Sequence, residues 1–137
     1  MTIHASVLVA DDLLYSVSGK ITITGAYPND IMIFGEENHA TQIVFLFHVE
    51  GTQAELPRNF RFEIALPGEP PRIKESPVPI GWQVPEGREK WVVTMPIQIT
   101  GAILRLGKIE ARVVIVGETE EETIEIAAPS IISAPSA

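Results

Sequence analysis

Apolar and polar residues alternate with a period of two along most of this chain, which is the pattern of β-strands. Residues 59–66 show it most clearly, because Arg61 and Glu63 alternate with apolar side chains. Residues 41–50 carry apolar side chains on both parities, which predicts a central strand covered on two sides. No window of about eleven or more residues has the 3.6-residue spacing of a helix.

Further alternating segments are separated by turn residues. They are residues 3–9, 20–27, 31–34, 90–99, 109–116 and 122–126. Asp11 and Asp12 are expected to end the first strand, and residues 117–121 to form the acidic loop of a hairpin between the last two. We therefore predict an all-β fold: one antiparallel sandwich domain over residues 1–137, immunoglobulin-like or C2-like, with about seven to nine strands.

Proline interrupts this pattern in residues 67–87, which are predicted to form a long Pro-rich surface loop with room for an edge strand. The loop holds Trp82 between Ile80 and Val84. Tryptophan is frequent among interface hot spots, so these three residues are the predicted partner-binding site. Two alternatives are that Trp82 closes an open end of the sandwich or covers a neighbouring copy. Residues 129–137 are predicted to be a frayed tail or a late edge strand.

Composition limits the classes of function. The 10 basic and 18 acidic residues give a formal net charge of −8, which disfavours binding to nucleic acid or to anionic membranes. The absence of cysteine excludes disulfides, thiolate nucleophiles and sulfur-ligated metals. No apolar run reaches the length of a membrane span, and the first residues lack the basic start of a signal peptide. We expect a cytoplasmic protein.

Asp11, Asp12 and Asp30 are the candidate metal ligands, with Asn29 beside Asp30. Calcium takes oxygen ligands from loops that converge on one point. If the first two strands form a hairpin, Asp11 and Asp12 lie at one end of it and Asp30 at the other. The alternative interpretation is that these side chains bond to the backbone of turns.

Three histidines are enough in number for a zinc site, but His4, His39 and His48 share no ligand spacing. Glu37 and His39, in a predicted loop, form a weaker candidate pair. The sequence also lacks the Gly-x-Ser-x-Gly motif of a serine hydrolase and the spacing of a phosphate-binding loop. We expect no catalytic residues and no cofactor.

The N-terminal third resembles a family of small uncharacterised bacterial proteins, a domain of unknown function. Asp11 and Asp12 correspond to the acidic pair of that family. The segment from Gly19-Lys20 to Gly25-Ala26-Tyr27 is similar to its second strand. The resemblance covers about thirty residues and implies a bacterial source and a β-rich fold. It implies no activity.

These observations favour a non-enzymatic protein-interaction module, expected to associate with itself or with another protein. Val44, Leu46, Val114 and Val116 lie opposite the main apolar parity of their strands. They would form a dimer surface if nothing in the chain covered them. The alternatives are a calcium-binding or small-ligand-binding domain that uses its loops, and an enzyme of unrecognised type.

Overall fold

The computed structural model describes residues 3–15, 20–27, 29–52, 59–77, 90–117 and 120–134. Within them the strands are β1 (His4–Tyr15), β2 (Ile21–Ala26), β3 (Ile31–Ile33), β4 (Glu37–Thr52), β5 (Asn59–Ala65), β6 (Arg72–Pro77), β7 (Lys90–Arg105), β8 (Gly107–Lys108), β9 (Glu110–Val116), β10 (Glu121–Ile126) and β11 (Ser130–Ser133). No helix occurs in these ranges, so the all-β prediction is confirmed. The eleven strands of these ranges exceed the predicted seven to nine, because β6, β8 and β11 lie outside the eight alternating segments of the sequence.

The strands form three sheets. The first has the order β2-β1-β4-β7, the second β10-β9-β5-β6 and the third β3-β11-β8. Every pairing is antiparallel except that of β3 with β11. The central position predicted for residues 41–50 is confirmed, because β4 pairs with β1 on one side and with β7 on the other. The predicted hairpin of β9 and β10 is confirmed as well.

One hydrophobic core joins the first two sheets. Phe47 of β4 and Phe62 of β5 meet across it, with ring centroids 5.2 Å apart. Phe60 packs on Trp91 of β7 at 5.7 Å, and all four side chains are at most 1% exposed. The alternating parity of each strand therefore decides which residues enter the core.

The first strand does not end at its acidic pair. β1 continues through Asp11 and Asp12 to Tyr15; its first half pairs with β4 and its second half with β2. The prediction was wrong because it treated the two carboxylates as turn residues. Side chains from neighbouring parts of the fold supply donors to both, so the strand tolerates them.

The Pro-rich segment contains the edge strand for which its prediction left room, whereas the C-terminal segment differs from its prediction in part. Residues 72–77 of the Pro-rich segment form β6, an edge strand of the second sheet, whereas residues 78–87 lie outside the described ranges. The chain end is not frayed over Ser130–Ser133, because β11 is the middle strand of the third sheet and Ile131 is 2% exposed. Among the described residues, no helix is long and apolar enough to cross a membrane.

Candidate functional site

The third sheet has an apolar side chain on both of its faces. Its inner face is buried through Ile31, Ile33 and Ile131, each at most 2% exposed. On its outer face Met32 of β3 is directly beside Ile132 of β11. Met32 is 62% exposed and Ile132 is 40% exposed. The small sheet therefore presents large apolar side chains to solvent.

Two further apolar side chains extend this surface. Phe34, directly after β3, continues the outward parity of Met32 and is 80% exposed. Leu106, which is 42% exposed, directly precedes β8, whose first residue, Gly107, is paired with Ile131 beside Ile132. We call Met32, Phe34, Leu106 and Ile132 the outer apolar face. Contiguous exposed apolar patches on a monomer usually mark interaction sites.

Charged residues surround the outer apolar face. Asp30 precedes β3, and its Oδ1 accepts a hydrogen bond from the Ser130 backbone N–H at 3.0 Å. Lys108 of β8 pairs with Ser130 from the other side. Arg105 Nε lies 3.3 Å from Glu37 Oε2 at the neighbouring end of β7. Acidic and basic groups are thus both present at the border of the face.

The predicted metal ligands do not converge. Asp11 Oδ1 accepts a hydrogen bond from the Tyr27 hydroxyl at 2.7 Å, and Asp12 Oδ1 accepts one from Gln42 Nε2 at 2.5 Å. Asp30 is bonded to β11 instead. No group of three or more potential ligands that could hold a metal ion occurs among the described residues.

The sequence prediction placed Asp11 and Asp12 at one end of the hairpin of β1 and β2 and Asp30 at the other, and this separation needs correction. The Tyr27 backbone N–H donates to the Val9 carbonyl at 2.8 Å, so the end of β2 lies beside the acidic pair of β1. The hairpin prediction placed them apart because it assumed that β1 ended at residue 12. Because β1 continues to Tyr15, β2 pairs with the C-terminal half of β1 and not with its N-terminal half.

Gly25 allows the close approach of β2 to Asp11. Its φ is +70°, and an added Cβ would lie 2.9 Å from Asp11 Cγ. Gly35 has a similar φ of +77° but open space around it. A comparison of alanine substitutions at Gly25 and Gly35 therefore distinguishes the cost of backbone strain from the cost of a steric clash.

We expect Gly25→Ala to lower the free energy of unfolding by more than Gly35→Ala does. The left-handed backbone alone costs about 1–2 kcal/mol at either position. The excess at Gly25 should become smaller in an Asp11→Ala background, because alanine lacks the Oδ2 and Cγ atoms that the new methyl group meets and keeps only Cβ, at 3.0 Å. Urea denaturation of the single and double variants measures these differences. Equal effects of the two glycine substitutions would show that the contact with Asp11 has no cost.

The hydrogen bond to Asp11 also affects the ionisation of Tyr27. Burial, together with the Asp11 carboxylate, raises the pKa of Tyr27 from 10.0 to about 12. Because the folded state holds the phenol proton more tightly than the unfolded chain does, its contribution to stability is complete below pH 10. That contribution is lost as the pH rises from about 10 to about 12.

Ultraviolet titration of tyrosinate in a Tyr15→Phe variant is expected to show Tyr27 ionising near pH 12. Adding Asp11→Asn should lower the midpoint, because an amide does not repel a phenolate. A midpoint at the ordinary tyrosine value, or one that Asp11→Asn leaves unchanged, would contradict the assignment.

The structure brings two of the three histidines together. His4 is paired with Glu50, and His48 is diagonal to His4 on the same face of the first sheet, where all three line a shallow depression. His48 Nε2 lies 3.7 Å from Glu50 Oε2. Lys90, and to a smaller extent His48, lower the pKa of Glu50. The Glu50 carboxylate is therefore already in an ion pair with Lys90, whose Nζ lies 3.4 Å from Glu50 Oε1.

His39 lies apart from the other two. It is on β4 rather than in the predicted loop, nine residues from His48, which is about 30 Å along a strand. Its Nε2 is 3.9 Å from Glu37 Oε1 on the exposed surface. The three histidines therefore form no common site.

A second concave surface lies on the outward face of the second sheet. A cleft of about 290 Å³ is lined by Glu63, Glu69, Glu110, Arg112 and Glu125, with Ala65 and Pro71. Glu63, whose alternation with apolar side chains indicates the solvent-facing side of β5, is only 7% exposed. Arg112 Nε donates to Glu63 Oε2 at 2.9 Å, and this pairing raises the pKa of Arg112. The cleft is thus lined by four carboxylates and one guanidinium, of which Glu63 and Arg112 form an ion pair.

The predicted partner-binding residues Ile80, Trp82 and Val84 lie outside the described residues. Val44 and Val114, expected at a dimer surface if uncovered, are buried at 1% and 2% exposure. The chain itself covers these two, whereas Leu46 and Val116, the other two residues of that prediction, are partly exposed. The outer apolar face was not found from the sequence. Its signal is the presence of apolar residues on both parities of two short segments, 31–34 and 131–132.

Comparison with known proteins adds no relative. No family model matches this chain, and neither a curated protein nor a solved structure matches it. The resemblance to the bacterial family stays a prediction. The geometry of the chain itself must therefore support any proposed function.

Proposed function

We propose that this chain is a non-enzymatic β-sandwich module that acts through protein–protein contacts and associates with a second copy of itself. The sandwich consists of the first two sheets, which share one core through Phe47 and Phe62. The contact surface is the outer apolar face of the third sheet. The acidic composition and the lack of cysteine fit a cytoplasmic protein.

The exposure of Phe34 is the observation that carries this proposal. Phe34 is 80% exposed beside Met32 at 62%, although a large apolar side chain gains about 1.5–3 kcal/mol when it leaves water. Single exposed apolar residues are ordinary on protein surfaces, but two on one small sheet and two directly beside it form a patch. Covering this patch would stabilise a complex.

Opposite charges at the border of the outer apolar face, on Asp30 and Lys108, support a second copy as the occupant. Two chains with a formal charge of −8 repel one another over most of their surfaces. At the outer apolar face Lys108 is present opposite Asp30, and Arg105 is paired with Glu37. Two copies can therefore approach here with less repulsion than elsewhere.

Sedimentation equilibrium across a range of concentrations tests the proposal. Wild-type protein is expected to dimerise, and Phe34→Ser to raise the dissociation constant about tenfold or more, which corresponds to about 1.4 kcal/mol of lost burial. Val92→Ser is the control, because Val92 is also exposed, at 42%, but lies near the opposite end of β7.

Circular dichroism of both variants checks that they remain folded. A wild-type protein that stays monomeric at all concentrations would overturn the proposal. So would an effect of Val92→Ser as large as that of Phe34→Ser.

A further inference from the structure

The outer apolar face carries opposite charges at equivalent positions on its two edges. Asp30 lies on the β3 side of Ser130, and Lys108 lies on the β8 side of the same residue. Both side chains are exposed, and neither takes part in the salt bridges found between described residues. The next outward row along the sheet is Met32, Ile132 and Leu106. The face is thus an ordered grid of a charged row and an apolar row.

We infer that the two copies pack face to face around a two-fold axis parallel to β11, so that Asp30 of each copy meets Lys108 of the other. This inference rests on the proposed function and specifies the arrangement of the partner. Rotation about such an axis keeps each row at its height and exchanges the β3 and β8 edges. Met32 then meets Leu106 of the second copy, and Ile132 meets its own equivalent.

The other two-fold arrangement is disfavoured by the same grid. An axis across the strands reverses the height of the rows and keeps each edge on its own side. It places Asp30 against Phe34 of the second copy. A carboxylate would then lose water without gaining a partner, which is costly.

The size of a stable interface requires the charged row to take part. A standard interface buries about 800 Å² on each partner, more than four partly exposed side chains supply. The contact must therefore extend beyond the outer apolar face to its edges. Asp30 and Lys108 are the charged residues that flank its central strand, so their pairing decides the orientation.

The absence of cysteine allows a direct test by cross-linking single-cysteine variants. A bis-maleimide reagent is chosen to span the gap between Cβ atoms of sheets stacked about 10 Å apart. Ile132→Cys is expected to cross-link to itself. Met32→Cys and Leu106→Cys should cross-link only when they are mixed. Val92→Cys, far from the face, is the control and should stay uncross-linked.

The outcomes distinguish the inference from the proposed function. If Met32→Cys cross-links to itself as efficiently as in the mixture, the axis lies across the strands. The inference is then overturned, although self-association through this face stands. If the protein dimerises but Ile132→Cys does not cross-link, the dimer uses another surface and both are overturned.

A charge reversal provides the second measurement. Lys108→Glu places an acidic group against Asp30 of the second copy and is expected to raise the dissociation constant about tenfold at low salt. High salt should remove most of this difference. Lys90→Glu changes the net charge equally, but Lys90 is at the end of β7 that lies away from the outer apolar face. This control should raise the dissociation constant much less. Equal effects of the two substitutions would overturn the predicted pairing.

Discussion

Phe62→Ala is expected to lower the free energy of unfolding by about 3–5 kcal/mol, because it removes a ring from the centre of the shared core. Phe62 is fully buried between Phe47, at 5.2 Å, and Phe60, at 5.9 Å. These neighbours belong to different sheets, so neither sheet can close the resulting cavity alone. The loss should therefore approach the upper part of the range.

Urea denaturation followed by far-ultraviolet circular dichroism measures this effect. Phe34→Ala provides the matched control, since it removes the same ring from a position that is 80% exposed. At concentrations where the chain is monomeric, the control should change stability by less than about 0.5 kcal/mol. The Phe62→Ala variant should also unfold in one transition. Two separate transitions would contradict a core that both sheets share.

Alternation alone was sufficient to predict the strands that line the core. Phe60, Phe62 and Ile64 occupy one parity of β5, and the structure buries all three at 1% exposure or less. The same pattern was misleading for Glu63, which is 7% exposed. Its burial depends on Arg112, 49 residues away in sequence. A local pattern cannot contain such a distant partner.

The error at the acidic pair has the same origin. β1 can include Asp12 because Gln42, 30 residues later, donates a hydrogen bond to the Asp12 carboxylate. Gln98 of β7 in turn donates to the side-chain oxygen of Gln42. Asp11 depends on Tyr27 of the segment after β2. Carboxylates normally favour turns, and that preference was overridden by tertiary contacts.

The candidate site was beyond local reasoning for a different reason. Residues 31–34 read Ile-Met-Ile-Phe, so both parities are apolar and nothing indicates which one faces the core. Only the pairing of β3 with β11, 100 residues later, buries Ile31 and Ile33 and leaves Met32 and Phe34 outside. The sequence pattern predicted the strand at 31–34 but not its exposed face.

Gly51→Ala is expected to destabilise the fold although glycine is a poor strand former. An added Cβ would lie 2.5 Å from Trp91 Cζ2 and 3.2 Å from Ile3 Cγ1. The indole cannot move easily, because Trp91 is fully buried and its Nε1 donates to the Thr52 carbonyl at 2.7 Å. Overpacking of this kind costs about 1–3 kcal/mol, which exceeds the gain in strand propensity of at most about 1 kcal/mol.

A double-mutant cycle with Trp91→Phe tests this cause. The smaller ring lacks the Cζ2 atom that the new methyl group meets, so Gly51→Ala should cost less in the Trp91→Phe background than in the wild type. A coupling energy of about 0.5–3 kcal/mol is expected for two residues in direct contact. Urea denaturation of the wild type, the two single variants and the double variant supplies the four free energies of unfolding that the cycle needs. Additive effects would show that the cost of Gly51→Ala arises in the backbone rather than from the indole.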